Sequence, residues 1–219
     1  MRIAWLMLAL ALACGSAAAE RLQMAPDDDA DVAAGWNAYR ANDPARALAY
    51  YRKAADRNNR VAQFNLAIML MGGEGAAPDP VAGVSWLRKS AERGFARAQF
   101  ALALLYERGE YVPRSQDEAT LWFRKAAEQN HREAQMALAT QYFLGRGAPR
   151  DFKEAAQWYE RAAEQGDEAA AYIVGSLYEK GEGVEQDTSR ALYWYSRAAT
   201  GGEPAAIMKA REMRDKLPR

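Results

Sequence analysis

REAQMALATQYFLGRGAPRDFKEAAQWYERAAEQGD, residues 132–167, is the stretch that decides the fold. Its first thirteen residues space Ala134, Leu138 and Tyr142 four apart, which puts them on one face of a helix. Gly145 stands where that helix should stop, because glycine accepts the left-handed backbone that closes a helix. Asp151 precedes a second helical run and can take free N–H groups of its first turn, and Glu154 three residues on predicts the reciprocal bond of a capping box. The run FKEAAQWYERAAEQ lines up Ala155, Trp158, Tyr159, Ala162 and Ala163 as an apolar stripe before Gly166 ends it. Gly145-x-Gly147 could be taken for a phosphate-cradling loop, but such loops follow a strand, and none is legible here. The glycines read as punctuation between two helices.

The same grammar recurs every thirty-six residues, in units 60–95, 96–131, 132–167 and 168–203. Trp86, Trp122, Trp158 and Trp194 form one column; Gly73, Gly109, Gly145 and Gly181 another. Ala62, Ala98, Ala134, Ala170 and Ala206 form a third, and Ala91, Ala127, Ala163 and Ala199 a fourth. Ser115 with Glu118, and Asp79 before Pro80, repeat the helix-start signal. The alanine columns let helices approach, and the tryptophans fill the wider gaps, so the Trp column is assigned to the core rather than to sugar stacking. Upstream, GWNAYRANDPARALAYYRKAA (35–55) aligns Tyr50 with Trp86 but omits the double glycine, so 31–59 is a divergent first unit. Residues 204–219 supply only a first helix rich in charge, as an end cap requires. Residues 20–30, with Asp27, Asp28 and Asp29, are expected to be a disordered acidic segment; they lack the glycine and closing glutamate of a calcium loop.

The chain has 219 residues, 29 basic and 29 acidic. That balance provides no broad basic face for nucleic-acid phosphates. MRIAWLMLALALACGSAAAE (1–20) has a basic start, an apolar run too short to span a bilayer, and small residues at the end. It is expected to be a signal peptide cleaved after Ala19, giving a periplasmic or secreted protein; the alternative is a lipoprotein anchored at Cys14. Cys14 is the only cysteine, so no disulfide is expected. One histidine, His131, falls in a turn whose column holds Phe95, Asp167 and Glu203, and it reads as a tolerant exposed position. One His and no mature Cys cannot make a His/Cys metal site, and no serine lies in a G-x-S-x-G context. No cofactor, metal site or catalytic residue is expected.

The unit EAAAYIVGSLYEKGEGVEQDTSRALYWYSRAATGGE (168–203) resembles a Sel-one-like repeat, a relative of the tetratricopeptide repeat. The matching marks are Gly175, Tyr178, Gly181, Gly183-Val184, Asp187, Ala191, Trp194-Tyr195 and Ala198-Ala199, and the resemblance covers about residues 33–210. The unit at 60–95 departs from it at Leu70, Gly83 and Ser90, and that at 96–131 at Tyr111 and Ser115. The resemblance implies an all-α fold: a right-handed α-α superhelix (solenoid) of about five antiparallel helix pairs plus a C-terminal capping helix, with first helices lining a concave face. It also implies a non-enzymatic adaptor that binds a protein or peptide segment. If the tetratricopeptide register transfers, candidate contacts on that face are Phe64, Ile68, Arg97, Phe100, Leu104, Glu107, Met136, Thr140, Phe143, Tyr172 and Ser176. A partner peptide anchored by apolar side chains, with Arg97 and Glu107 setting register, fits this set. The competing expectation is an envelope enzyme or ligand-binder acting on peptidoglycan or polysaccharide. Its mark would be exposed aromatics paired with carboxylates in a cleft.

Overall fold

The computed structural model describes residues 29–217, and those residues divide into two compact units meeting between Ser115 and Gln116. The first unit holds α1 (Ala30–Arg40), α2 (Pro44–Asp56), α3 (Arg60–Gly72), α4 (Pro80–Glu92) and α5 (Ala96–Arg108). The second holds α6 (Gln116–Ala127), α7 (Arg132–Leu144), α8 (Phe152–Glu164), α9 (Glu168–Lys180), α10 (Thr188–Ala198), a 3-10 turn (Ala199–Gly201) and α11 (Pro204–Lys216). No strand occurs among the described residues. Within each unit, every helix packs on the next one in the chain. The signal-peptide segment lies outside the described residues.

The helix ends follow the chemistry of the sequence. Gly73, Gly109, Gly145 and Gly181 close first helices with φ between 68 and 74°. Asp43, Asp79, Asp151 and Asp187 cap the second helices by accepting from first-turn N–H groups. The capping box at 151–154 does not close, however. Asp151 takes the Lys153 and Glu154 N–H groups, but its own N–H goes to the Tyr142 carbonyl. Glu154 instead accepts from the indole N–H of Trp158 at 3.2 Å, since the buried ring would otherwise leave its donor unpaired.

Two further expectations are corrected. His131 is not an exposed turn residue: its side chain is 14% exposed, and Nδ1 accepts the Ala134 N–H at 3.3 Å as the N-cap of α7. Its column is the cap position of the first helices, where Asn59 and Asp167 do the same work for α3 and α9. Asp29, assigned to the acidic segment, caps α1 and receives the Arg57 guanidinium at 2.8 Å. Asp31 meets both Lys53 and Arg57, which hold its carboxyl below the usual range.

The core follows the repeat columns. Trp122, Trp158 and Trp194 are buried, Trp86 is half-buried, and the alanine columns are sealed except at Ala199, which is half-buried. Each of the four rings carries a cation on its outer face: Lys89, Lys125, Arg161 and Arg197, 3.9 to 5.2 Å from the ring centroid. The second glycine of each loop is more than punctuation. A Cβ at Gly75, Gly147 or Gly183 would collide with the carbonyl of Pro44, Gln116 or Phe152, in the first turn of the preceding second helix. Only a glycine lets loop and helix touch there. Tyr111 occupies the same column with φ of 60° and lies 43% exposed.

Candidate binding face

The eleven residues assigned to the first-helix face fall six in the first unit and five in the second. In the first unit, Phe64, Ile68 and Phe100 are only 4, 3 and 8% exposed. Phe64 sits edge-on to Phe95, with ring centroids 5.3 Å apart, so it packs between helices. Ile68 and Leu104 share a shallow apolar crevice with Met71, Leu87 and Leu105, and Arg108 stands at its rim. Arg97, Leu104 and Glu107 are half-buried, and the Glu107 carbonyl accepts from Arg114 Nε at 3.1 Å.

In the second unit all five are half-buried. Thr140 donates to the Met136 carbonyl and lies 2.9 Å from the Tyr159 hydroxyl. Phe143 is edge-on to Phe152 at 5.3 Å, and Tyr172 to Tyr195 at 5.2 Å. Met136 and Tyr172 therefore offer apolar surface to solvent that Phe64 and Phe100 do not.

Sequence reasoning missed the polar seams between neighbouring helix pairs. Gln63, Gln99 and Gln135 are buried and donate to the carbonyls of Ala55, Ala91 and Ala127 at 3.2, 3.1 and 3.2 Å. Their thirty-six-residue spacing was the available signal. In the fourth unit Ala171 replaces the glutamine, and Arg197 donates to the equivalent carbonyl of Ala163 at 3.1 Å. A second seam ties tyrosine hydroxyls to arginines: Tyr106 to Arg88 at 2.8 Å, and Tyr142 to Arg124. At Tyr178 the charges are exchanged, with Glu160 accepting at 2.6 Å and Arg190 donating at 2.7 Å.

Two perturbed titrating groups, Tyr195 and Glu179, lie where α9, α10 and α11 meet. Burial pushes the Tyr195 hydroxyl up, and the Glu179 carboxylate that accepts from it adds to the shift. Burial opposes ionisation of Glu179, but the Tyr195 hydroxyl and the Lys209 ammonium outweigh it and hold the carboxyl below its usual range. Among the described residues no three His, Cys, Asp or Glu side chains gather to hold a metal ion, and no helix is long and apolar enough to cross a membrane.

The comparisons agree with this geometry. The Sel1 repeat matches residues 35–59, 60–95, 96–131, 132–167 and 168–203. A Sel1 repeat protein from Oxalobacter formigenes is 36% identical, with a TM-score of 0.76 over 81% of this chain and 73% of that one. A protective antigen of uropathogenic Escherichia coli with an SLR fold is 28% identical, with a TM-score of 0.76 over 97% of this chain. This chain spans only 44% of that antigen. No curated protein matches. With the repeat covering most of its length, the chain belongs to the Sel1 repeat family, whose members serve in general as protein-interaction scaffolds, and its fold is all-α of the α-α superhelix class.

Proposed function

We propose that this chain is an exported, non-enzymatic scaffold of the cell envelope that binds a protein or peptide segment along its first helices. One observation carries the choice of face. The columns that repeat are consumed by packing and by the glutamine and tyrosine seams, whereas Met136 and Tyr172 keep apolar surface open at equivalent positions of α7 and α9. Apolar and aromatic side chains presented on a rigid helical frame are favoured interface anchors. Phe64 and Phe100 are too buried to anchor a partner without repacking, so the contact centres on the second unit. Export rests on the charged start, short apolar run and small residues of the first nineteen positions.

The test is affinity capture. The chain from Glu20 onward is immobilised and exposed to envelope extract, beside a Met136→Ala/Tyr172→Ala version of equal helicity and thermal stability. A protein retained by the first and lost by the second supports the reading. Equal retention by both removes the assigned face. Retention of cell-wall fragments and no protein replaces the scaffold reading with the glycan-binding one.

A further inference from the structure

Helix α11 closes the second unit, and it does so differently from the first helices it resembles. At four matched columns α9 presents Ala170, Val174, Leu177 and Tyr178, all buried. At the same columns α11 has Ala206, Ala210, Met213 and Arg214. The first three are buried, but Arg214 is exposed, so two large anchors have become a methyl group and a solvated cation. At these four columns α11 therefore buries less apolar side chain than α9 does. Its attachment is completed by charge instead. Lys209 Nζ reaches Glu179 at 2.9 Å and Glu212 at 3.0 Å; Lys216 Nζ lies 2.7 Å from Glu212 and 3.6 Å from Glu179. Tyr195 of α10 donates to the other oxygen of Glu179 at 2.7 Å, so one carboxylate ties α9, α10 and α11 together. Partly exposed ion pairs of this kind give little net stability and yield to salt.

We propose that the face of α10 covered by α11 is a docking surface for an amphipathic helix of another protein, and that α11 is its displaceable occupant. The chain itself specifies the chemistry of the incoming helix. Helix α9 stacks by placing a small residue, then large apolar side chains four and seven residues on, then an aromatic at eight; Ala98, Leu102, Leu105 and Tyr106 of α5 show the same spacing. A helix with that stripe buries more apolar area against α10 than α11 does, so it replaces a polar tether with packing. This surface lies at the end of the repeat array and does not depend on the first-helix face.

The test combines hydrogen exchange with peptide binding on the full chain. Glu179→Gln keeps the shape of the tether and removes its charge; Lys209→Met breaks it from the α11 side and leaves α9 and α10 untouched. In both variants the α11 amides are expected to exchange about two- to fivefold faster than in the unaltered chain, with α10 unchanged. A labelled peptide of residues 96–108 is expected to bind saturably, about two- to fivefold tighter to the variants than to the unaltered protein. Leu102→Asp/Leu105→Asp in the peptide should abolish binding. The proposal is overturned if α11 exchanges in step with α10 in every protein. It is equally overturned if α11 loosens and the peptide does not bind, or if the aspartate peptide binds as well.

Discussion

Two glycines of the second unit offer a controlled measurement of how tightly neighbouring helix pairs meet. Gly166 and Gly183 both adopt left-handed backbone, with φ of 90 and 75°. Alanine in that conformation costs about 1–2 kcal/mol, partly offset by about 0.4–1 kcal/mol from the stiffer unfolded chain. Around Gly166 an added Cβ meets nothing within 4 Å, so Gly166→Ala should cost no more than about 1.6 kcal/mol. At Gly183 the methyl group collides with the Phe152 carbonyl, a backbone atom that cannot rotate away. Relieving such overpacking costs about 1–3 kcal/mol more. For a chain of this size 1 kcal/mol moves Tm by about 2–4 °C, so the variants should differ by roughly 4–8 °C if the extra cost is about 2 kcal/mol. Thermal and urea unfolding of the three proteins gives the comparison directly. Equal losses at the two positions would mean that loop and helix do not touch as described, and that the second glycine serves only its own backbone.

Other outcomes follow from the seams. Gln135→Ala should destabilise the second unit by about 1–3 kcal/mol in urea, because a fully buried amide and its bond to Ala127 are lost together. Ala171→Gln should gain nothing while Arg197 holds the Ala163 carbonyl, but should recover about 1 kcal/mol in an Arg197→Ala background. Tyr111→Gly should be neutral or raise the unfolding free energy in urea by up to about 1 kcal/mol, since it relieves a left-handed aromatic residue. Glu179 sets the pH response of α11. Its folded-state pKa is lowered, so its contribution is complete above the ordinary carboxylate range and is lost as pH falls through the lowered value. Hydrogen exchange of α11 should therefore quicken as pH drops below about 4, after correction for intrinsic rates, and Glu179→Gln should flatten that dependence. Unchanged protection of α11 down to pH 3 would refute it.

How far the chain could be read depended on whether a residue's role is local. Glycine stops and aspartate caps act within one helix turn, so Gly145 and Asp151 were legible without any tertiary information. Trp158 and Leu138 were legible because helical spacing and thirty-six-residue recurrence agreed. Gln63, Gln99 and Gln135 recur just as regularly, but a polar side chain reads as exposed unless its buried acceptor is known. That acceptor is a carbonyl of the preceding helix pair, which no local rule supplies. Asp29 was hidden for a similar reason: its role depends on Arg57, twenty-eight residues away. Phe64, Phe100, Met136 and Tyr172, thirty-six residues apart, look uniform in the sequence. Their exposure is set by what each neighbouring helix end contributes, as Phe95 does over Phe64, and spacing does not encode that.

The central claim, that a partner lies along the first helices, is tested most directly by crosslinking in the living cell. A photoreactive residue is placed at Met136, on the first-helix face of α7, and separately at Gln157, which is exposed on α8. The account predicts a discrete protein adduct from position 136 and none from 157. An adduct from 157 alone, or the same adduct from both positions, would contradict it.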